Sequence, residues 1–437
     1  MNNRQKFFAL AKPTTKKLIV FWSIMQNEKI IEKLNSKISF VRKTALKEIK
    51  KREQYDSLLV PNKNLHEINL NVHTDFSFSP YSPTMAAYMA YKNGVKIACA
   101  CDYGTEYGGT EFIDACNYLG VSAISGFEVT LSEENKKECL CAIYCITPEA
   151  MAKFKPLLSA FREACLQRAK KVCEKINKKL RKYDIEIDYE KDVYKFVKGR
   201  KGATLTLKHV YMAAGKKLQS KFGKGRKLAE FLRTSLCLDI QEGEYNLLCD
   251  ANNPFYKYDL ISTLRHNFDN IEGGLTPPAF ADYLAVAKEY GAVVAYEYVA
   301  PNNWLKNQTE SERTLQEFKD MVDSVKSRGF NAVCISSLNI SDDMIVSFTN
   351  VLKEKQMIAI FAEKTEYPRS HFVSVAPRGA RPYIEKCAYA LLGNNISMNI
   401  NQVDGLFTQK SVVKCEDFLK RLTMFAQIGR NSDNYEG

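Results

Sequence analysis

From residue 67 onward, short apolar segments alternate with helical ones, and that alternation constrains the fold more than any other feature of the chain. Strand-like runs fall at 68–73, 96–102, 123–129 and 139–146, and again at 291–298, 331–336 and 357–363. Between the first three lie helical stretches at 83–93, opening at Ser82-Pro83, and at 110–119, closing at Gly120. Strands separated by helices pair in parallel through right-handed crossovers. The reading is an α/β chain: an incomplete TIM-like barrel of about seven parallel strands with helices outside, plus a basic helical insertion after the fourth strand.

The insertion occupies 151–270. It holds a long helix at 151–183, mixed structure at 185–197 and further helices at 208–215, 225–236 and 256–268. Its charge is uneven. Residues 153–227 carry 23 Lys and Arg against 7 Asp and Glu, a larger surplus than the +13 of the whole chain. Such a stretch is either a solvated helical surface or an anion-binding face for nucleic acid or a phosphorylated ligand. The flanking parts divide as an N-terminal helical arm (1–63), a first barrel part (64–150), a second barrel part (271–428) and a loose polar tail (429–437). In the arm Ile31, Leu34, Ile38, Val41, Ala45 and Ile49 recur at three- and four-residue steps, an amphipathic pattern that must pack on the body, a partner or a second copy. The second part is expected to open at a turn, Glu272-Gly273-Gly274, with Thr276 capping a helix begun by Pro277 and Pro278.

Hydrophobic residues make up 45% and charged residues 26% of the 437, a globular balance. No apolar run reaches the ~20 residues of a membrane helix, so no membrane association is expected. The 13 cysteines are odd in number and several lie in strand-like runs (Cys99, Cys101, Cys139, Cys141, Cys145). Reduced, buried thiols and a cytoplasmic location are the simple inference, and a zinc site is the sharper one.

Three ordered motifs then narrow the reading. Asn71-Val-His-Thr-Asp-Phe-Ser-Phe-Ser-Pro-Tyr-Ser-Pro83 resembles the opening H-x-H-T-x-x-S motif of PHP domains, the polymerase and histidinol phosphatase family of metal-dependent phosphoesterase barrels. Cys101-Asp102-Tyr103-Gly104-Thr105 resembles their second motif, an Asp-His pair before a polar turn, and Gly126-Phe127-Glu128 matches their third, G-x-E. More loosely, 204–209 resembles a T-x-R-H element, 291–298 a strand ending in Ala-His-Pro, and 362–372 the last, Asp-bearing motif. The likeness spans roughly residues 66–400.

The resemblance implies His, Asp and Glu side chains at the C-terminal ends of the barrel strands, gathering two or three metal ions that activate a bridging water and hold phosphate oxygens. Carried over, the metal positions are His73, Asp102, Glu128 and Asn71, with Asp102 and Glu128 the catalytic groups of an active site. The departures are large. Asn71 replaces the first His, Tyr103 the His of the second motif, Tyr298 the Ala-His-Pro histidine and Lys364 the final Asp. An amide oxygen is a feeble ligand beside an imidazole, and a phenol stays protonated. An ammonium at 364 cannot share a metal cluster, but it can neutralise Asp102 and Glu128 if they have lost their metal; otherwise it points to solvent. His73 is then a remaining ligand or a hydrogen-bonded core histidine, and Arg369 a candidate phosphate-binding group or a surface arginine. The expected function is an eroded, inactive or impaired phosphoesterase homologue kept for binding or scaffolding, with no metal or a partial divalent set (Mn, Zn or Mg). The alternatives are an active metal-dependent phosphoesterase with fewer metals, and a nucleic-acid-binding module acting through the lysine-rich insertion.

Overall fold

The computed structural model describes residues 27–57, 59–61, 67–132, 138–268, 277–299, 308–336, 340–368, 371–401 and 404–433. It divides into two units, 1–61 and 62–437. In the first, helix α1 (Ser39–Arg52) buries Arg42, Ala45, Leu46 and Ile49. The helical run is interrupted just before it, and there Arg42 donates to the Ser36 carbonyl at 2.6 Å. Ile38, expected in the apolar stripe, is exposed at this break.

The second unit carries all seven expected strands in a single sheet of order β1 to β7: β1 (Glu67–Val72), β2 (Val95–Ala100), β3 (Ser122–Ser132), β4 (Glu138–Tyr144), β5 (Val293–Tyr298), β6 (Ala332–Ile335) and β7 (Ile358–Phe361). The sheet curls into a nearly closed, TIM-like barrel with helices around it. One expectation is corrected. The strands are not all parallel, because β4 runs antiparallel to both β3 and β5. Its entry explains this: five residues separate β3 from β4, whereas a parallel crossover needs a dozen or more. Between the edge strands the gap is closed by side chains. Asn69 Nδ2 donates to the carbonyls of Glu363 (3.0 Å) and Phe372 (2.7 Å), and Thr365 Oγ1 accepts from the His73 N–H at 2.8 Å.

The helices follow local signals. α2 (Pro83–Lys92) is capped by Ser82 Oγ, which accepts from the Met85 N–H at 3.1 Å, and α3 (Gly109–Leu119) ends at Gly120 in the left-handed region at φ 73°. The long helix α4 (Pro148–Leu180) is capped by Thr147 with Pro148 in its first turn. Its first half (Phe154, Leu158, Phe161) packs into the barrel core, and its second half (Ala169, Val172, Ile176, Leu180) nucleates a separate core. That second core is completed by α5 (Leu207–Phe222), α6 (Arg226–Glu230), α7 (Glu242–Cys249) and α8 (Tyr256–Phe268). The basic insertion is therefore a helical body with an apolar interior of its own.

After it come α9 (Phe280–Glu289), α10 (Gln308–Ser327), α11 (Asp342–Glu354), α12 (Arg381–Asn401), α13 (Gln409–Lys414) and α14 (Phe418–Asp433). Pro277 and Pro278 do not open α9. They precede it, and the Pro278 carbonyl accepts from the Ser132 N–H at 2.9 Å. The expected turn at 272–274 and Thr276 lie outside the described residues. Of the expected loose tail, Gly429 to Asp433 belong to α14. There Gly429 and Gly393 let α14 cross α12 so closely that a Cβ on either would meet the other helix's backbone. Among the described residues no helix is long and apolar enough to cross a membrane, and all 13 cysteines are free thiols, most of them buried.

Candidate functional site

Buried carboxylates and one ammonium define the centre of the barrel mouth. Glu128 projects from β3 and Glu297 from β5, with side-chain exposures of 3% and 7%. Lys364 enters from the segment just after β7. Its Nζ pairs directly with Glu128 Oε1 and lies 3.8 Å from Glu297 Oε2. Burial works against the Lys364 ammonium, but Glu128 and Glu297 outweigh it and hold its pKa above the ordinary lysine range. Burial also pushes the Glu128 carboxyl up, and Lys364 pulls it only part of the way back. The centre is an internal ion cluster in which the lysine supplies the cationic charge. Around it, burial pushes the Cys101, Cys141 and Cys334 thiols well up, so they remain neutral.

A row of polar groups runs outward from this cluster. Asn71 Nδ2 donates to Glu297 Oε1 at 3.2 Å, and Asn71 Oδ1 faces His73 Nε2 at 2.9 Å. Since an amide oxygen only accepts, Nε2 carries the proton. Burial lowers the His73 pKa, so the ring is neutral although Glu128 Oε2 lies 3.8 Å from it. On its other side His73 Nδ1 stands 3.3 Å from Ser77 Oγ, which donates to Asp102 Oδ1 at 2.7 Å. Asp102 also accepts from the Thr74 N–H (2.7 Å) and the Thr74 hydroxyl (2.5 Å). Burial nevertheless raises its pKa to about 6, against the lowering effect of those donors.

The insertion roofs this mouth. Lys208, in the first turn of α5, pairs with Glu366 and stands over the rings of Phe78 and Tyr367, 5.6 Å from each centroid. Burial alone would raise Glu366, but Lys208 and then Lys364 bring it down to about 2. Arg200 pairs with Asp75 and lies over Phe76, and Arg162 donates to the Gly104 carbonyl at 3.1 Å. His209, placed by the loose T-x-R-H likeness, takes no part in the centre: it caps α5, accepting from the Thr206 N–H at 3.1 Å, and burial lowers it to about 3.

The structure thus brings together His73, Asn71, Glu128 and Lys364, and connects Asp102 to them through Ser77. The second carboxylate on Lys364 is Glu297 rather than Asp102. Tyr298 is turned out of the site, its ring edge-on to the stacked pair of Phe318 of α10 and Phe348 of α11. Tyr103 likewise packs edge-on against Phe161 of α4 and hydrogen-bonds Thr130 at 2.9 Å. Arg369 lies outside the described residues. Glu297 was the missed residue, and strand alternation was the available signal: in Val293–Tyr298 it is the acid between two tyrosines, and period two sends it inward when they go outward.

The residues present do not fit the metal set that the motifs imply. Between Glu128 and Glu297 stands an ammonium, and the Asn71 amide fills the space between Glu297 and His73. Among the described residues no three His, Cys, Asp or Glu side chains are arranged to hold a metal ion.

No protein-family model matches the sequence, and no curated protein matches it. Solved structures do. A protein of Bifidobacterium adolescentis named as a metal-dependent phosphoesterase aligns with a TM-score of 0.48 at 14% identity, over 73% of this chain and 96% of its own. An amidohydrolase from Chromobacterium violaceum, solved with bound sulfate and no metal, aligns with a TM-score of 0.46 at 14% identity, over 74% and 96%. At these scores neither likeness assigns a function.

Proposed function

We propose that this chain is a barrel of metallohydrolase type in which an internal ammonium has taken the place of the catalytic cation, and that it serves binding or scaffolding rather than phosphoester hydrolysis. One observation carries the reading: Lys364 Nζ lies against Glu128 and within 3.8 Å of Glu297. The ordered motifs at 71–83, 101–105 and 126–128 support the hydrolase ancestry.

The chemistry agrees. Two-metal hydrolysis needs a Lewis acid that lowers the pKa of a bound water toward ~7 and clamps phosphate oxygens. A lysine whose pKa is raised is permanently charged at neutral pH, can neither accept the proton of a water nor coordinate it, and blocks metal entry by charge. Asp102 is occupied by three donors, and Ser77 spends its proton on Asp102. The neutral His73 donates to Asn71. Lys364, Glu128, Glu297, Asn71, Ser77 and Asp102 each have a partner inside the protein, which is the arrangement of a structural network.

The test is hydrolysis of phosphomonoester and phosphodiester substrates in added manganese, magnesium or zinc. Turnover at the uncatalysed level is expected. Turnover that His73→Ala and Glu128→Gln each abolish would overturn the proposal and favour an active enzyme with a reduced metal set.

A further inference from the structure

The surplus of basic residues acquires a definite geometry on α4 and the turn that follows it. Lys171, Lys175, Lys178 and Lys182 recur at steps of four, three and four residues, with Lys179 beside them, and this spacing places them along one face of the helix. The opposite face, Val172, Cys173, Ile176 and Leu180, is buried in the insertion core. Lys171, Lys178, Lys179 and Lys182 are exposed and make no ion pair among the described residues. Lys179 and Lys182 stand over the rings of Phe268 and Tyr183. Arg181, by contrast, is pulled aside by Glu186 at 2.6 Å.

The basic face continues past the end of α4. The C-terminal end of α5 is fastened to the same corner, because Lys221 Nζ donates to the Tyr183 carbonyl. The next residues, Lys224, Arg226 and Lys227, are exposed cations immediately beyond that anchor.

We propose that this face binds double-stranded nucleic acid through its phosphate backbone. At 1.5 Å rise per residue, Lys171 to Lys182 extends ~16 Å, with one cation about every 5 Å, a spacing suited to tracking a line of phosphates. The features that would favour other polyanions are missing. Among the described residues of the insertion before α7, no large hydrophobic side chain is exposed, so nothing is available to enter a lipid headgroup layer. The aromatic rings nearby, Tyr183 and Phe196, are half-buried in packing and offer no open platform on which single-stranded bases could stack. What remains is charge without base-reading groups, and that specifies backbone contact indifferent to sequence.

The four exposed cations Lys171, Lys178, Lys179 and Lys182 predict a slope of log K on log salt of about −3.6, or a loss of roughly 150-fold in affinity between about 50 and about 200 mM salt. The experiment is fluorescence anisotropy of a short, labelled, mixed-sequence DNA duplex titrated with the full chain across that salt range. It is repeated with Lys171→Gln, Lys178→Gln, Lys179→Gln and Lys182→Gln combined, and with the same change at four exposed lysines elsewhere (Lys191, Lys353, Lys410, Lys420). Circular dichroism confirms that each variant is folded. Binding with the predicted slope, equal for unrelated duplex sequences and losing most of its salt dependence only in the first variant, supports the proposal. Absent binding, equal binding by both variants, a preference for the single strand, or binding only to anionic lipid vesicles overturns it.

Discussion

Replacing Lys364 by methionine keeps most of the side-chain volume and removes the one cation between Glu128 and Glu297. The two carboxylates then face each other at 3% and 7% side-chain exposure, with Asn71 still donating to Glu297. A unit charge pair near 4 Å interacts by ~4 kcal/mol at an effective dielectric of ~20. Breaking one side of a buried pair costs ~3–5 kcal/mol in measured cases. Because the Lys364 side chain is 31% exposed, solvent already screens part of this, and a loss of ~2–4 kcal/mol at neutral pH is the expected result. The loss must depend on pH in a fixed direction. Glu128 already has a raised pKa, and without Lys364 it rises further, so the folded variant binds more protons than the unfolded chain. Its stability therefore falls as pH rises. Lys364 itself, with a raised pKa, contributes fully below the ordinary lysine range near ~10.4 and changes nothing in the assay window. Urea unfolding at about pH 5 and about pH 8 measures both effects. Wild type and Lys364→Met should differ more at the higher pH, and adding Glu128→Gln to the variant should recover part of the loss. A gap below ~0.5 kcal/mol at both pH values, the range of an ordinary surface substitution, would refute the internal ion cluster.

Other consequences follow from particular contacts. Gly393→Ala forces a Cβ into the Phe425 carbonyl across the α12–α14 crossing, and a destabilisation of ~1–3 kcal/mol is expected by denaturant titration. Thr365→Val removes the acceptor of the buried His73 N–H at the seam between β1 and β7, costing ~1–3 kcal/mol, whereas Thr365→Ser should cost much less. Asp102, raised to about 6 by burial, makes the folded state lose stability as pH rises from the ordinary carboxylate range to about 6. Across that window the stability difference between wild type and Asp102→Asn should shift by roughly 2–3 kcal/mol in favour of the variant, read from unfolding curves.

The barrel was legible because its seven strands are short apolar runs punctuated by capping signals. Ser82-Pro83 and Gly120 mark helix ends in the sequence and in the structure alike, whereas the long helix expected from 151 begins at Pro148 behind its Thr147 cap. The reversed direction of β4 was also readable, since too few residues separate it from β3 for a crossover, but the regular alternation around it concealed the exception. At the site, motif order led to His73, Asp102 and Glu128, yet in β5 it led to Tyr298, which packs away from the centre, and passed over its neighbour Glu297. Pairing across the mouth is a property of closure. Nothing local indicates that Glu297 and Lys364 meet, because 66 intervening residues must first form two strands and two helices. The roof contacts Lys208–Glu366 and Arg200–Asp75 join segments still farther apart, and their partners became identifiable only once the insertion was folded over the barrel.

If an ammonium occupies the place of the catalytic cation, the barrel mouth has no room for a divalent metal, and metal content decides it. Elemental analysis of protein purified without chelator and without a nickel column should find no divalent metal at stoichiometric level. Two or more equivalents of manganese, zinc or magnesium per chain, lost in His73→Ala, would contradict the account.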